Sequence, residues 1–194
     1  LGYMKYPSVI CLSVNDEAVH AVPSDRILQE GDLLKIDMGV IHDGLHTDSA
    51  VTVLVGDDGQ KAFAERRKLI SVTRQALHEG IAHARVGNTL GDIGAAIQKT
   101  VESQGFTILR ELGGHGIGRG LHEEPFVANF GKPGRGEKLQ AGMVLALEPI
   151  TSTGDWRIKD GQDGFGYLTA DGSPSAQFEH TVIVAEDGPE VVTK

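Results

Sequence analysis

The sequence predicts an α+β fold built on a mostly antiparallel sheet with helices on one side. Two observations carry this. Segments rich in Val, Ile, Thr and Phe at strand spacing fall in two blocks, before residue 56 and after residue 105, and two stretches with helical spacing lie between them. With 194 residues, 40% of them hydrophobic, and no internal repeat, the chain reads as a single domain over residues 1–194.

Val9–Val14 opens the first block. Leu33–Ile41 and Leu45–Val55 flank His42-Asp43-Gly44, a tight-turn signal, and form a long β-hairpin that Gly56-Asp57-Asp58-Gly59 closes. Lys61–Leu77 then sets Ala62, Phe63, Leu69, Ile70, Thr73, Ala76 and Leu77 mostly on one helical stripe. Thr89-x-x-Asp92 resembles a capping box, so a second helix starts there, buries Leu90, Ile93, Ile97 and Val101, and ends at Gly105. Strands return at Phe106–Glu111, Phe126–Phe130, Met143–Ser152 and Phe178–Ala185. Nothing helical precedes the first block, so one face of its sheet is expected to lack a cover. A first residue that is Leu fits the same expectation, a lost N-terminal helical segment.

Net charge −9, from 18 Lys and Arg against 27 Asp and Glu, removes the electrostatic basis for nucleic-acid binding. The single cysteine, Cys11, cannot form an internal disulfide, and no apolar run approaches the roughly 20 residues of a membrane helix. Leu1–Pro7 lacks the basic start and apolar stretch of a signal peptide. A cytoplasmic protein with no membrane partner is expected.

Five residues have the chemistry of a two-metal site: Asp37, Asp48, His115, Glu148 and Glu179. Asp37 sits in the otherwise apolar Lys35–Val40 strand, where an unpaired carboxylate is costly. Asp48 lies on the other arm, placed symmetrically about the His42–Asp43 link, so both carboxylates are expected on one sheet face as near cross-strand neighbours. The competing reading turns one of them to solvent or pairs it with Lys35 or Arg119. Glu148 interrupts Met143–Ile150, a strand apolar on both faces, and Glu179 shares a face with Thr181 and Ile183 while His180 faces away. His115 is embedded in Gly113-Gly114-His115-Gly116-Ile117-Gly118-Arg119-Gly120, whose glycines permit positive φ and close approach to a ligand. That run matches neither G-x-G-x-x-G nor a P-loop, which argues against a nucleotide site. His122, close to His115, suits proton transfer or hydrogen bonding to a substrate; His20, in a loop after the first strand, reads on its own as a surface residue, and His42, His46, His78 and His83 read as solvated.

In order along the chain, Ser13-Val14-Asn15-Asp16-Glu17 with His20, Ile36-Asp37-Met38-Gly39 with Asp48, Gly114–Gly120 with His122-Glu123-Glu124-Pro125, Glu148-Pro149, and Ser175–Thr181 resemble the motifs of the type I methionine aminopeptidases. The resemblance runs nearly end to end. It implies the pita-bread fold, a curved antiparallel sheet with helices on its outer face around a central dinuclear site. It further implies that Asp37, Asp48, His115, Glu148 and Glu179 hold two divalent ions (Co, Mn, Fe or Zn), with Asp48 and Glu179 bridging and His115 on one ion. His20 and His122 would flank the scissile peptide, and Glu148 would shuttle the proton of a metal-activated water. The methionine pocket implied is Tyr3, Tyr6, Cys11, Leu121 and Phe165; Leu121 and Phe165 replace a Phe and a Trp common in the family, and Trp156 is not that tryptophan. The substrate implied is the N-terminal Met of nascent polypeptides with a small second residue, with the ribosome as a further partner and a monomeric enzyme.

Two other readings compete. A prolidase or X-Pro aminopeptidase shares fold and metals, but its last ligand usually sits in Arg-x-Glu-Asp, against Phe178-Glu179-His180-Thr181 here. A non-enzymatic binding module of this fold would be expected to have lost ligands, and this chain keeps all five. The type II enzymes carry a large insertion for which His122 to Glu148 is too short.

Overall fold

The computed structural model describes residues 3–57 and 59–194; Asp58, part of the turn expected at Gly56–Gly59, and Leu1 and Gly2, which open the Leu1–Pro7 segment, lie outside the described residues. In chain order β1 (Cys11–Val14), β2 (Glu17–Val19), β3 (Leu33–His42) and β4 (Leu45–Leu54) precede α1 (Ala64–His83) and α2 (Leu90–Glu102). There follow β5 (Thr107–Ile108), β6 (Gly113–Gly116), β7 (Glu123–Ala128), β8 (Val144–Leu147), β9 (Ile150–Ser152), β10 (Ile158–Asp160), β11 (Tyr167–Thr169), β12 (Ser175–Gln177), β13 (Glu179–Ala185) and β14 (Gly188–Val191). The main sheet has the order β1-β3-β4-β13-β8-β6-β7, with β14 also paired to β13. Two small sheets, β10-β11-β2 and β12-β9-β5, complete it, and the paired strands of the described residues are antiparallel.

Both helices lie on one face of this sheet. α1 buries Leu69, Val72, Ala76 and Leu77, and α2 buries Ile93, Ile97 and Val101, against Leu33, Leu145, Leu147, Val182 and Val184 of the strands and Phe178 between β12 and β13. Each such side chain contributes about 1.5–3 kcal/mol by leaving water. Gly80 lets the helices approach closely, since a Cβ there would stand 2.9 Å from Ile97 Cδ1. The capping box is present: the Asp92 carboxylate accepts from the Thr89 backbone N–H at 2.8 Å.

Several expectations shift. The hairpin is centred one residue later than the His42–Asp43 link, since β3 and β4 pair Asp37 with Ala50 and Gly39 with Asp48. The net slip of two residues keeps the predicted face, so Asp37 and Asp48 are diagonal neighbours rather than direct partners. The first helix begins with a 3₁₀ turn at Lys61–Phe63 and runs on to His83, beyond the predicted end at Leu77. Phe106–Glu111 shrinks to Thr107–Ile108, and Met143–Ser152 divides at Glu148-Pro149 into β8 and β9, which join different sheets. Proline cannot donate a ladder bond, so the break falls there. The glycines around His115 serve a purpose other than the one expected. None has positive φ; Gly113–Gly116 is a strand, and a Cβ on Gly114 would meet Ala146 O at 2.1 Å and one on Gly116 would meet Glu124 O at 2.1 Å. Neighbouring backbone, not a ligand, demands them. The uncovered sheet face does exist: Met38, Val40, Val51 and Val53 of the hairpin are exposed on the side away from Asp37 and Asp48.

Candidate metal centre

Five strands adjacent in the main sheet, β3-β4-β13-β8-β6, deliver one residue each to a common place: Asp37, Asp48, Glu179, Glu148 and His115. Strand register explains how residues so distant in sequence meet. Asp37 and Glu179 are both partners of Ala50, and Glu148 follows Leu147, the partner of His180, so these three lie along one cross-strand row. The next row holds Asp48 opposite Gly39, and His115 and Thr181 both opposite Ala146. Rows two residues apart project from the same face. Ala50, Gly39 and Ala146 interleave with the acidic groups, and their small size leaves room between the carboxylates.

All five are buried, each less than a tenth exposed. Single ligand atoms of Asp48, His115 and Glu179 lie within 4.8 Å of one another, and His115 Nε2 stands 3.6 Å from Glu148 Oε1. His115 Nδ1 lies 2.9 Å from Gly116 O; a carbonyl only accepts, so Nδ1 carries the hydrogen and the Nε2 lone pair faces the carboxylates. Burial first, then the neighbouring carboxylates, pushes Asp37, Glu148 and Glu179 up from the ordinary carboxylate range, and burial does the same to Asp48. Glu179 Oε1 has no hydrogen-bond partner. Lys35 does not pair with any of these groups, and Arg119 is exposed. A buried set of four carboxylate side chains and one imidazole, with an orphaned oxygen and no ion-paired Lys or Arg among the described residues, is a donor set that fits divalent metal.

Residues that hold this cluster were not singled out from the sequence. Gln177 Nε2 donates to Asp37 Oδ2 and Glu148 Oε2, both at 3.3 Å, while its Oε1 is buried without a partner. Thr181 clamps the Asp48 backbone, accepting from its N–H at 2.8 Å and donating to its carbonyl at 2.9 Å. Asn129 Nδ2 donates to Glu148 O at 2.9 Å. Gln177 could have been found, because it lies two residues before Glu179 and a polar side chain there repeats at strand spacing.

A cleft of about 440 Å³ opens onto the cluster, lined by His20, His115, His122, Glu148, Phe126 and Ile150 among others. His20 and His122 thus share this cleft with two members of the cluster, His115 and Glu148. The His115 and His122 rings are 4.3 Å apart, and Tyr3 Oη lies 2.8 Å from His122 Nδ1. His20 takes a left-handed backbone, φ 61°, at the end of β2, and burial lowers its imidazole to about 4, so it is neutral near pH 7. Burial likewise holds His115 down at about 4 and His122 below the usual range. His180 points elsewhere, to Thr193 Oγ1 at 3.0 Å, as its alternation predicts. His46 is half-buried against Gly118 O rather than solvated.

None of the residues of the implied methionine pocket lines that cleft, although Tyr3 reaches its His122. Tyr6 meets Phe165 edge-on at 5.2 Å and interacts with Cys11, which pairs across from Asp37. Leu121 packs on Gly39 beside Asp48, where a Cβ would stand 3.3 Å from Leu121 Cδ1 and 3.8 Å from Asp48 Oδ1. Burial raises both the Tyr6 phenol and the Cys11 thiol, the latter to about 11, so both remain neutral. Trp156 is exposed, apart from this group.

A curled antiparallel sheet with helices on its outer face and a buried carboxylate–imidazole cluster defines a pita-bread metallohydrolase. The sequence matches Metallopeptidase family M24 over residues 1–186. It is 45% identical to the methionine aminopeptidase of Clostridium perfringens over 192 residues, covering 99% of this chain and 76% of that protein, and 40% identical to methionine aminopeptidase 1 of Bacillus subtilis, covering 100% and 76%. The crystal structure of the methionine aminopeptidase from Thermotoga maritima superposes with a TM-score of 0.95 at 44% identity, covering 100% of this chain and 77% of that one. The prolidase from Pyrococcus horikoshii, at 20% identity and a TM-score of 0.74, covering 96% and 48%, shares the fold. The chain belongs to metallopeptidase family M24, among its bacterial type I methionine aminopeptidases. No helix of the described residues is long and apolar enough to cross a membrane.

Proposed function

We propose that this hydrolase removes the initiator Met from nascent polypeptides whose second residue is small, with residues 1–194 working as one catalytic domain, as a monomer in the cytoplasm, and with the ribosome that delivers such chains as a further partner. The observation that carries the reading is the pair of registered rows: Asp37, Glu179 and Glu148 beside Asp48 and His115, buried together with no Lys or Arg paired to them among the described residues. An oxygen-rich set with one imidazole suits two ions such as Co, Mn, Fe or Zn, which Asp37, Asp48, His115, Glu148 and Glu179 would hold. When bound, such ions polarise a peptide carbonyl and make a water nucleophilic near neutral pH.

The chain's own residues do the rest. Glu148, oriented by Gln177, takes the attacking water's proton and returns it to the departing amine. With Tyr3 donating to Nδ1, the Nε2–H of His122 is free to donate to the carbonyl oxygen as it gains charge, and neutral His20 supplies a second donor from the cleft wall. The acidic cluster suits the substrate's free α-ammonium. Tyr3, Tyr6, Cys11, Leu121 and Phe165 receive the thioether, with the Tyr6 phenol and Cys11 thiol held neutral by burial.

Chelated protein supplied in turn with Mn, Co, Fe or Zn is expected to cleave Met-Ala-Ser and to leave Ala-Pro-Ser largely intact. Preference for the X-Pro peptide, or cleavage of neither with any metal, contradicts the reading.

A further inference from the structure

We propose that Lys35 is a positioning residue for this reaction: a cation built into the chain that ties the turn leading to His20 and the strand leading to Gln177 and Glu179 onto β3, which carries Asp37. Lys35 is 1% exposed, the largest fully buried side chain of the described residues. Its Nζ donates to Asn15 O at 2.7 Å, Ser175 O at 3.2 Å and Ser175 Oγ at 3.1 Å. Carbonyl oxygens only accept, and the Ser175 hydroxyl directs its own hydrogen to Asn15 O at 2.8 Å, or to Glu17 O at 3.4 Å, leaving an oxygen lone pair for Nζ. With that hydrogen on a carbonyl, three acceptors face Nζ and the ammonium meets them with its three N–H donors; burial lowers the Lys35 amine to about 7, so the cage carries its full charge below that pH. No carboxylate oxygen of the described residues lies within ion-pairing distance of it; the Glu17 carboxylate instead accepts from Val14 N at 2.6 Å.

A buried charge without a counter-ion is costly, and a packing role alone would be met by an aliphatic residue. What the ammonium accomplishes is convergence. Asn15, left-handed at φ 56° and anchored through its side chain to Asp32 and Leu33 N, turns its carbonyl inward, and five residues later the chain presents His20 to the cleft. Ser175 lies two residues before Gln177 and four before Glu179, and Lys35 lies two before Asp37. One ammonium thus connects the segments bearing a cleft histidine, two members of the carboxylate cluster and the amide that orients two of them.

The consequence for turnover rests on the peptidase reading; the cage itself does not, and the test separates the two. Lys35→Met keeps the aliphatic stem and removes the charge, and Lys35→Ala opens a hollow lined by the three oxygens. Lys35→Met is expected to lower kcat on Met-Ala-Ser by about 10–100-fold with a smaller change in KM, as for residues that orient ligands from behind. The thermal midpoint of metal-free Lys35→Ala is expected to rise, with saturation, as ammonium replaces tetramethylammonium at constant ionic strength, and its kcat to recover several-fold in parallel. The parent should be indifferent to that exchange, because its cage is filled. Lys35→Met with kcat within about twofold of the parent, ammonium acting on the parent as strongly as on Lys35→Ala, or Lys35→Ala gaining nothing from ammonium, each overturns the proposal. If Lys35→Ala does not fold, Lys35→Met and the parent decide. A parent without peptidase activity sinks the functional reading and leaves the midpoint arm to judge the cage.

Discussion

Lys35 and Asp37 are two residues apart on the same face of β3, both buried, both ionisable, and they are balanced in opposite ways. Around Lys35 the chain supplies every partner: two carbonyls and a hydroxyl meet three N–H donors. Around Asp37 it supplies three more carboxylates, a neutral imidazole and one amide, and leaves Glu179 Oε1 with nothing. Where a charge has only to hold segments together, the cation is covalently part of the chain. Where the cation must also meet a substrate, the chain provides the negative shell and leaves the positive charge to come from solution. Buried charge left uncompensated is destabilising, so the second arrangement persists only because something outside the polypeptide completes it.

The strongest way to break this contrast is to remove a carboxylate of the cluster. Glu179→Gln is expected to reduce cleavage of Met-Ala-Ser by about a thousandfold or more, the several kcal/mol that metal assistance supplies. The same variant should leave the metal-free protein no less stable, because it relieves repulsion among buried carboxylates. Loss of activity together with a lower midpoint in chelator would show that Glu179 holds the fold rather than the ion. A smaller effect sharpens the contrast. Gln177→Leu should weaken Mn²⁺ binding, measured by calorimetry, by about 10–100-fold while retaining the fold, since the amide only orients Asp37 and Glu148. Unchanged affinity would make Gln177 a bystander.

Much of the cluster was legible because carboxylates in apolar strands are anomalous: Asp37, Glu148 and Glu179 announce themselves by their neighbours. Parity also carried Asp37 and Asp48 to the correct face although the hairpin centre was misplaced, because a slip of two residues preserves facing. What was hidden depends on contacts between distant strands. The glycines beside His115 looked like ligand-binding glycines, yet Gly114 and Gly116 are fixed by Ala146 and Glu124 on strands that local spacing cannot locate. Glu148-Pro149 was read as interior to one strand, whereas proline ends β8 there and sends β9 to another sheet. Lys35 was weighed only as a partner for the aspartates; its true acceptors, Asn15 and Ser175, are 20 and 140 residues away.

The central claim, that the carboxylate cluster awaits an external cation, is tested most directly by the unfolding midpoint as a function of pH, with chelator and with Mn²⁺. In the metal-free fold Asp37 is raised to about 7 and Asp48 to about 6, and Glu148 and Glu179 also lie well above their unfolded range. The folded chain then holds more protons than the unfolded one across roughly pH 4–7, so stability falls as pH rises through that window. His20 and His115, each lowered to about 4, and His122 and His180, also lowered by burial, act in the other direction up to about pH 6.5, and Lys35, lowered to about 7, does so above it; the four mutually repelling carboxylates are expected to outweigh them. The chelated midpoint is expected to fall from pH 5 to pH 8 and the Mn²⁺-loaded midpoint to rise over the same range. A chelated midpoint that rises with pH, or one that Mn²⁺ does not move at pH 8, contradicts the central claim.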